Sequence, residues 1–243
     1  MSSRTLKALT LASLVFALGS AGFAAWRQGW TYDEPAHLEW SRRLLDEGLT
    51  ERRSSLHYNS KTPIVVPNVV ARKLARRVLG VREETPLRFA ARLPSIVWLG
   101  LLLVAVFWLG RRGFGETAAC AATLLAALDP NLIAHGSLAT VDVAYAFATL
   151  MTLGAAAAFA ARPSLFRGLA WGLALGLAFA TKFTAFLLLP GSLAVLLVSR
   201  SHDGWASRRW PRIVAGLLVG AAGATLLVSA AYGFRRLGVP LSN

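Results

Sequence analysis

The chain has 243 residues and a net charge of +14, from 26 Lys and Arg against 12 Asp and Glu. Hydrophobic residues make up 55% of it, charged residues only 16%, and the mean hydropathy is +0.52. That balance excludes a soluble globular domain and a disordered chain, and the non-alternating Ala-, Leu- and Gly-rich runs exclude a membrane β-barrel. What remains is an all-α, polytopic integral membrane protein.

The first apolar run is Ala8–Ala25, preceded by Arg4 and Lys7. No clear small-x-small cleavage site precedes Trp26, so it reads as an uncleaved membrane helix rather than a signal peptide. A long charged loop, residues 27–87, follows. Within it His37, Trp40, Ser41 and Leu44 recur near helical spacing. Further on, Val66, Val69, Val70, Leu74 and Val78 form an apolar stripe opposed by Arg72, Arg76 and Arg77, with Pro63 and Pro67 at its start. The pattern predicts two amphipathic helices lying on the membrane surface, over about residues 35–48 and 64–79. Six more apolar runs follow: Leu93–Gly110, Thr117–His135, Leu138–Ala161, Gly168–Thr181, Phe183–Ser199 and Ile213–Tyr232. Seven transmembrane helices in one domain, residues 1–243, are therefore expected. Only Lys182 separates the fifth and sixth, which predicts a tight hairpin or a broken pair. Gly168, Gly172 and Gly176 on the fifth, and Gly216 and Gly220 on the last, predict close helix packing.

Loop charge sets the orientation. With the N-terminus inside, Arg111 and Arg112, Arg162 and Arg167, and Arg200, Arg208, Arg209 and Arg212 all fall on inner loops. The first loop is basic yet outside, which its length permits. Basic residues scattered between apolar spans fit anionic membrane lipids or a phosphate-bearing lipid better than nucleic acid. The single cysteine, Cys120, lies in an apolar run and excludes an intrachain disulfide or a cysteine metal site.

In this topology the unusual polar residues gather at the outer face. Asp33 and Glu34 follow the first span, Lys61 lies between the two surface helices, Asp129, His135 and Asp142 flank the turn between spans three and four, and Lys182 lies between spans five and six. Ionisable groups near the apolar region are costly and point to function. Each also has a structural reading. Asp33 before Glu34-Pro35 suits a helix cap, Asp142 suits a helix N-terminus, Asp129-Pro130 suits a helix end, and Lys182 suits a snorkelling anchor. His57 and His135 lack the paired spacing of metal ligands.

These residues carry a resemblance. Thr31-Tyr32-Asp33-Glu34-Pro35-Ala36-His37-Leu38, directly after a first span, resembles the Asp-Glu motif of lipid-carrier-dependent glycosyltransferases of the GT-C superfamily. The resemblance is to members close to the protein O-mannosyltransferases and the bacterial aminoarabinose transferases. Asn59-Ser60-Lys61-Thr62-Pro63 resembles their lysine-proline motif, with Thr62 where a second proline is common. Asp129 through His135 and Thr140-Val141-Asp142-Val143 resemble the second outer loop, and Gly172 through Lys182 resembles the Gly-rich helix ending in lysine. The likeness runs from about Leu6 to about Pro190, the membrane half of such enzymes, whose C-terminal part is expected to be missing here.

The resemblance implies transfer of a sugar from a polyprenyl or dolichyl phosphate to an acceptor hydroxyl, with inversion, at the outer face of the inner or plasma membrane. It implies Asp33 as the catalytic base, with Glu34 beside it. Lys61, Lys182 and Arg92 are implied on the donor phosphate, with Arg88 a lesser candidate, and Asp142, His135 and His37 are implied to orient sugar or acceptor. The acceptor is a protein, a lipid or a glycan. No cofactor is required, and a divalent cation is neither demanded nor excluded. The competing readings are a truncated or regulatory membrane subunit and a lipid-binding or transport protein without catalysis.

Overall fold

The computed structural model describes residues 2–46, 62–203 and 210–234, and all regular structure among them is helical. Helix α1 (Ser3–Arg27) is opened by the Ser2 hydroxyl, which accepts from the Thr5 amide at 3.2 Å. Its buried stripe is small: Thr10, Ser13, Ala17, Ala21 and Ala25 recur every three or four residues. The Thr10 and Ser13 hydroxyls donate back to the carbonyls of Leu6 and Leu9, so neither polar group is buried unpaired. Large side chains such as Leu11, Val15, Phe16 and Phe23 point outward instead. Small residues inside and large apolar ones outside is the arrangement expected of helices bathed in lipid.

Helices α4 (Glu84–Phe114), α5 (Glu116–Leu128) and α7 (Asp142–Ala161) join α1 in one core of Ala17, Ala21, Leu99, Leu102, Leu103, Ala127 and Val143. Helices α8 (Leu165–Phe179), α9 (Leu188–Asp203) and α10 (Trp210–Ala231) complete the bundle. The glycine stripes meet as their spacing predicts: a Cβ on Gly168 would stand 2.7 Å from the Gly216 Cα, and one on Gly172 would stand 2.5 Å from the Gly220 Cα. Only glycine permits that approach of α8 and α10.

The seven apolar runs differ in length and straightness. Four helices, α1, α4, α7 and α10, are long and apolar enough to cross a membrane. The run Thr117–His135 is instead two helices, α5 and α6 (Pro130–Gly136), bent by 65°. The cause is local. Pro130 ends α5, and the Asp129 side chain turns to cap α6, accepting from the Asn131 amide at 2.7 Å and the Leu132 amide at 3.4 Å. The fifth and sixth runs form the shorter apolar helices Leu165–Phe179 and Phe183–Val198. At about 1.5 Å per residue the 15-residue Leu165–Phe179 helix is about 22 Å long, short of a hydrocarbon core of about 30 Å. Among the described residues there are thus four to five candidate spans by length and composition.

Both helices expected in the first loop form, as α2 (Glu34–Asp46) and α3 (Val66–Arg77), the latter led in by a 3-10 turn at Pro63–Val65. They do not lie free. The 31-residue α4 is about 46 Å long, well beyond the hydrocarbon thickness, and α3 packs antiparallel on its first turns. Asn68 donates to the Ala91 carbonyl at 2.8 Å and to the Ser95 hydroxyl at 3.1 Å, while Ala75 packs with Leu87 and Ala90. Leu38, Val65, Val69, Ala91, Ala139 and Val141 then form a second core, which fixes α2 and α3 against the α6–α7 turn.

Candidate active site

The end of α1, the start of α2, the early turns of α4 and the α6–α7 turn are fastened by one buried ion pair. Glu34 and Arg92 are both 0% exposed, with Arg92 Nη2 2.6 Å from Glu34 Oε2 and Nε 2.8 Å from Oε1. The remaining guanidinium hydrogens go to the carbonyls of Ala25, Gln28 and Gly29. All five N–H groups of the arginine are therefore spent. The glutamate also accepts from the Ala139 amide at 2.9 Å, the Thr31 amide at 2.9 Å and the Thr31 hydroxyl at 3.1 Å. Burial by itself pushes the Glu34 carboxyl up. The Arg92 hydrogen bonds, the Ala139 and Thr31 amides and the arginine's charge outweigh it and hold the carboxyl below its ordinary range.

This geometry bears on two of the expected site residues. Arg92 has no donor left for a phosphate, because the chain's own carbonyls and Glu34 take all of them. Glu34 is fully buried and gives both carboxylate oxygens to Arg92, Ala139 and Thr31. Both instead hold the backbone on which Asp33 sits, one residue before Glu34. Asp33 itself is exposed at the mouth of α2, its carbonyl accepting from the His37 amide at 3.2 Å.

A second group lies at the same end. Lys182, at the break between α8 and the 3-10 turn Phe183–Leu187, donates to Asp142 Oδ1 at 3.1 Å. His135 Nδ1 stands 3.3 Å from the other carboxylate oxygen, and the Lys182 Nζ lies 6.0 Å from the Tyr145 ring centroid. These three side chains are partly open, at 39% exposure for Asp142, 44% for Lys182 and 50% for His135. Asp142 therefore pairs with side chains as well as opening α7.

His37 joins the two groups. Burial pushes its imidazole below the usual range, and the charges of Asp33, Asp142 and Glu34, against that of Lys182, all act on it. Asp33, His37, Asp142, Lys182 and His135 thus converge on one end of the bundle. Lys61 and His57 lie outside the described residues. Asp129 is occupied as the cap of α6. Arg88 buries its Nε without a partner among the described residues. No group of three or more His, Cys, Asp or Glu among the described residues is arranged to hold a metal ion.

Trp30 is a part of the site that its sequence position does not reveal. Its ring lies 5.5 Å from the Arg92 guanidinium carbon and 5.3 Å from that of Arg72, and its Nε1 donates to Glu84 at 3.1 Å. An aromatic flanking an ion pair screens it from water. A tryptophan just past a span is common enough at membrane interfaces to attract no notice.

The helical bundle thus gathers carboxylates, two histidines and a lysine at one end. Residues 74–228 match the family model of the dolichyl-phosphate-mannose-protein mannosyltransferases, and the chain belongs to that family of membrane glycosyltransferases. No curated protein and no solved structure matches the chain. The matched segment contains Arg92, Ala139, Asp142 and Lys182. Asp33, Glu34 and His37 precede it and are fastened to it by the Glu34 contacts with Arg92 and Ala139.

Proposed function

We propose that the chain transfers a sugar, mannose or a relative of it, from a polyprenyl or dolichyl phosphate to an acceptor hydroxyl, with inversion at C1. The observation that carries this reading is the convergence of Asp33 and Asp142 with Lys182 around His37 at one end of an apolar bundle. The acceptor oxygen attacks C1 of the sugar while Asp33 takes its proton. The C1–oxygen bond to the carrier breaks, and the electron pair leaves with the lipid phosphate. Phosphate is a good leaving group, so no general acid is needed. A cation that meets its growing charge is enough.

Lys182 is the cation for that charge, with Lys61 from the first loop as the second. Asp142 holds Lys182 by one oxygen and His135 by the other, and is well set to take sugar hydroxyls. His37, kept neutral by burial, offers a hydrogen bond to sugar or acceptor without adding a charge. Glu34 and Arg92 are positioning residues. No metal enters the scheme.

In the membrane, the bent α5–α6 pair and the two shorter apolar helices complete a seven-pass bundle, with α2 and α3 at its outer surface. The site then faces outward from an inner or plasma membrane, where a protein, lipid or glycan acceptor meets it. The test is direct. The purified full chain is given a radiolabelled polyprenyl-phosphate mannose and a membrane extract as the source of acceptors. Label moving onto an acceptor in the anomeric form opposite to the donor supports the reading. Intact donor after full incubation, with a known family enzyme active in the same vesicles, rejects it.

A further inference from the structure

We propose that the cleft between α2 and α3 is a second binding site, separate from the carboxylate–lysine centre, for a phosphate-bearing anion. A lipid headgroup fits it better than free phosphate does. The cleft encloses about 570 Å³, which lies within the usual range for small-ligand sites of about 300–1,000 Å³. Helix α2 divides it from the first site. Asp33 and His37 stand on one face of that helix, while Pro35, Leu38, Glu39 and Arg42 stand on the other and line the cleft.

Charge names the ligand class. Arg42, Arg72, Lys73 and Arg76 line the cleft against Glu39 and Glu84, an excess of two positive charges. Glu39 is held down to about 2 by Arg42 and Arg43, so this count stays constant across the physiological range. Arg72 pairs with Glu84 at 2.8 Å, and Lys73 pairs with Asp46. These are partly exposed pairs, each of the kind worth about 0–1 kcal/mol. A phosphate can displace such a carboxylate, because a guanidinium meets it with two parallel hydrogen bonds. Arg76 is exposed and has no ion pair among the described residues. Leu38, Val69, Pro35 and Trp30 supply an apolar wall beside these cations. A bare inorganic anion leaves that wall unused, whereas the glycerol and upper acyl carbons of a lipid cover it. The site also lies just past the end of α1 and alongside the first turns of α4, where headgroups are within reach.

The experiment uses the purified full chain in neutral detergent, titrated with dihexanoyl phosphatidylglycerol, dihexanoyl phosphatidylcholine and inorganic phosphate, with bound ligand read by native mass spectrometry. Phosphatidylglycerol is expected to bind at least tenfold more tightly than phosphatidylcholine. Arg76→Gln should weaken it by about fivefold, the usual effect of one basic residue at a lipid surface. Arg111→Gln, at the far end of α4, should leave it unchanged. Inorganic phosphate matching the glycerol lipid in affinity would keep the site and make free phosphate its ligand. An Arg72→Gln/Arg76→Gln double variant should lose most of the binding, and if it melts early the single Arg76→Gln variant decides. Equal affinity for the two lipids, or wild-type affinity in an Arg76→Gln protein with a wild-type melting temperature, overturns the proposal.

Discussion

Replacing Glu34 with glutamine tests the buried pair on which the site is built. The side chain keeps its size but loses its charge, and its amide nitrogen replaces one of two oxygens that accept five hydrogen bonds between them. Arg92 then remains charged at 0% exposure with no counter-ion. Removing one partner of a buried pair costs about 3–5 kcal/mol. For a chain of this size each kcal/mol lowers the melting temperature by about 2–4 °C, so a fall of about 6–20 °C is expected. Thermal unfolding in detergent, followed by tryptophan fluorescence, reads it. Asp33 should lose its position at the same time, so sugar transfer should fall even well below the melting temperature. Acid gives an independent check. Because the native carboxyl titrates below its unfolded value of 4.5, its stabilisation is complete above that pH. It is lost as pH falls through the lower, native value. A Glu34→Gln protein with wild-type melting temperature and transfer would refute the positioning role.

Three further outcomes follow from the same geometry. Gly172→Ala drives a methyl into the Gly220 backbone and should cost about 1–3 kcal/mol or force α8 from α10, whereas Gly19→Ala, with nothing within 4 Å, should be neutral or slightly stabilising by melting temperature. His37 binds its proton less readily when folded than its ordinary value of 6.5 implies. Stability should therefore fall as pH drops below about 6.5, and a His37→Gln variant should flatten that part of the melting profile. Lys182→Gln should weaken binding of a non-hydrolysable lipid-phosphate sugar more than it raises the KM for acceptor. Equal donor affinity in the two proteins would leave Lys182 as a membrane anchor.

Hydrophobic period and glycine spacing made most of the fold legible. The helices of the first loop fall within two residues of α2 and α3, and the two glycine stripes meet face to face. The break at Asp129-Pro130 was legible as a helix end, but the 65° bend was not, because a proline and a cap mark where a helix stops and not the angle at which the next one leaves. Hydropathy did not separate the four long apolar helices from the shorter ones of 15 or 16 residues, since both read as apolar runs. In the site, Asp142, His135 and Lys182, flagged beside the spans, meet in one group. Their partners were not legible. The Glu34–Arg92 pair joins positions 58 residues apart, and only the fold decides that Arg92 turns to a carboxylate and three carbonyls rather than to a ligand.

The central claim is that Asp33 removes the acceptor's proton. The most direct measurement is the turnover of Asp33→Asn against wild type, with labelled polyprenyl-phosphate sugar at saturation and with melting temperature and donor affinity checked in parallel. Asparagine keeps the side-chain size and still caps a helix, but it cannot take the proton. The account predicts a loss of about 10²–10⁴-fold in turnover, with melting temperature and donor affinity unchanged. An asparagine variant that transfers sugar at near the wild-type rate would contradict it.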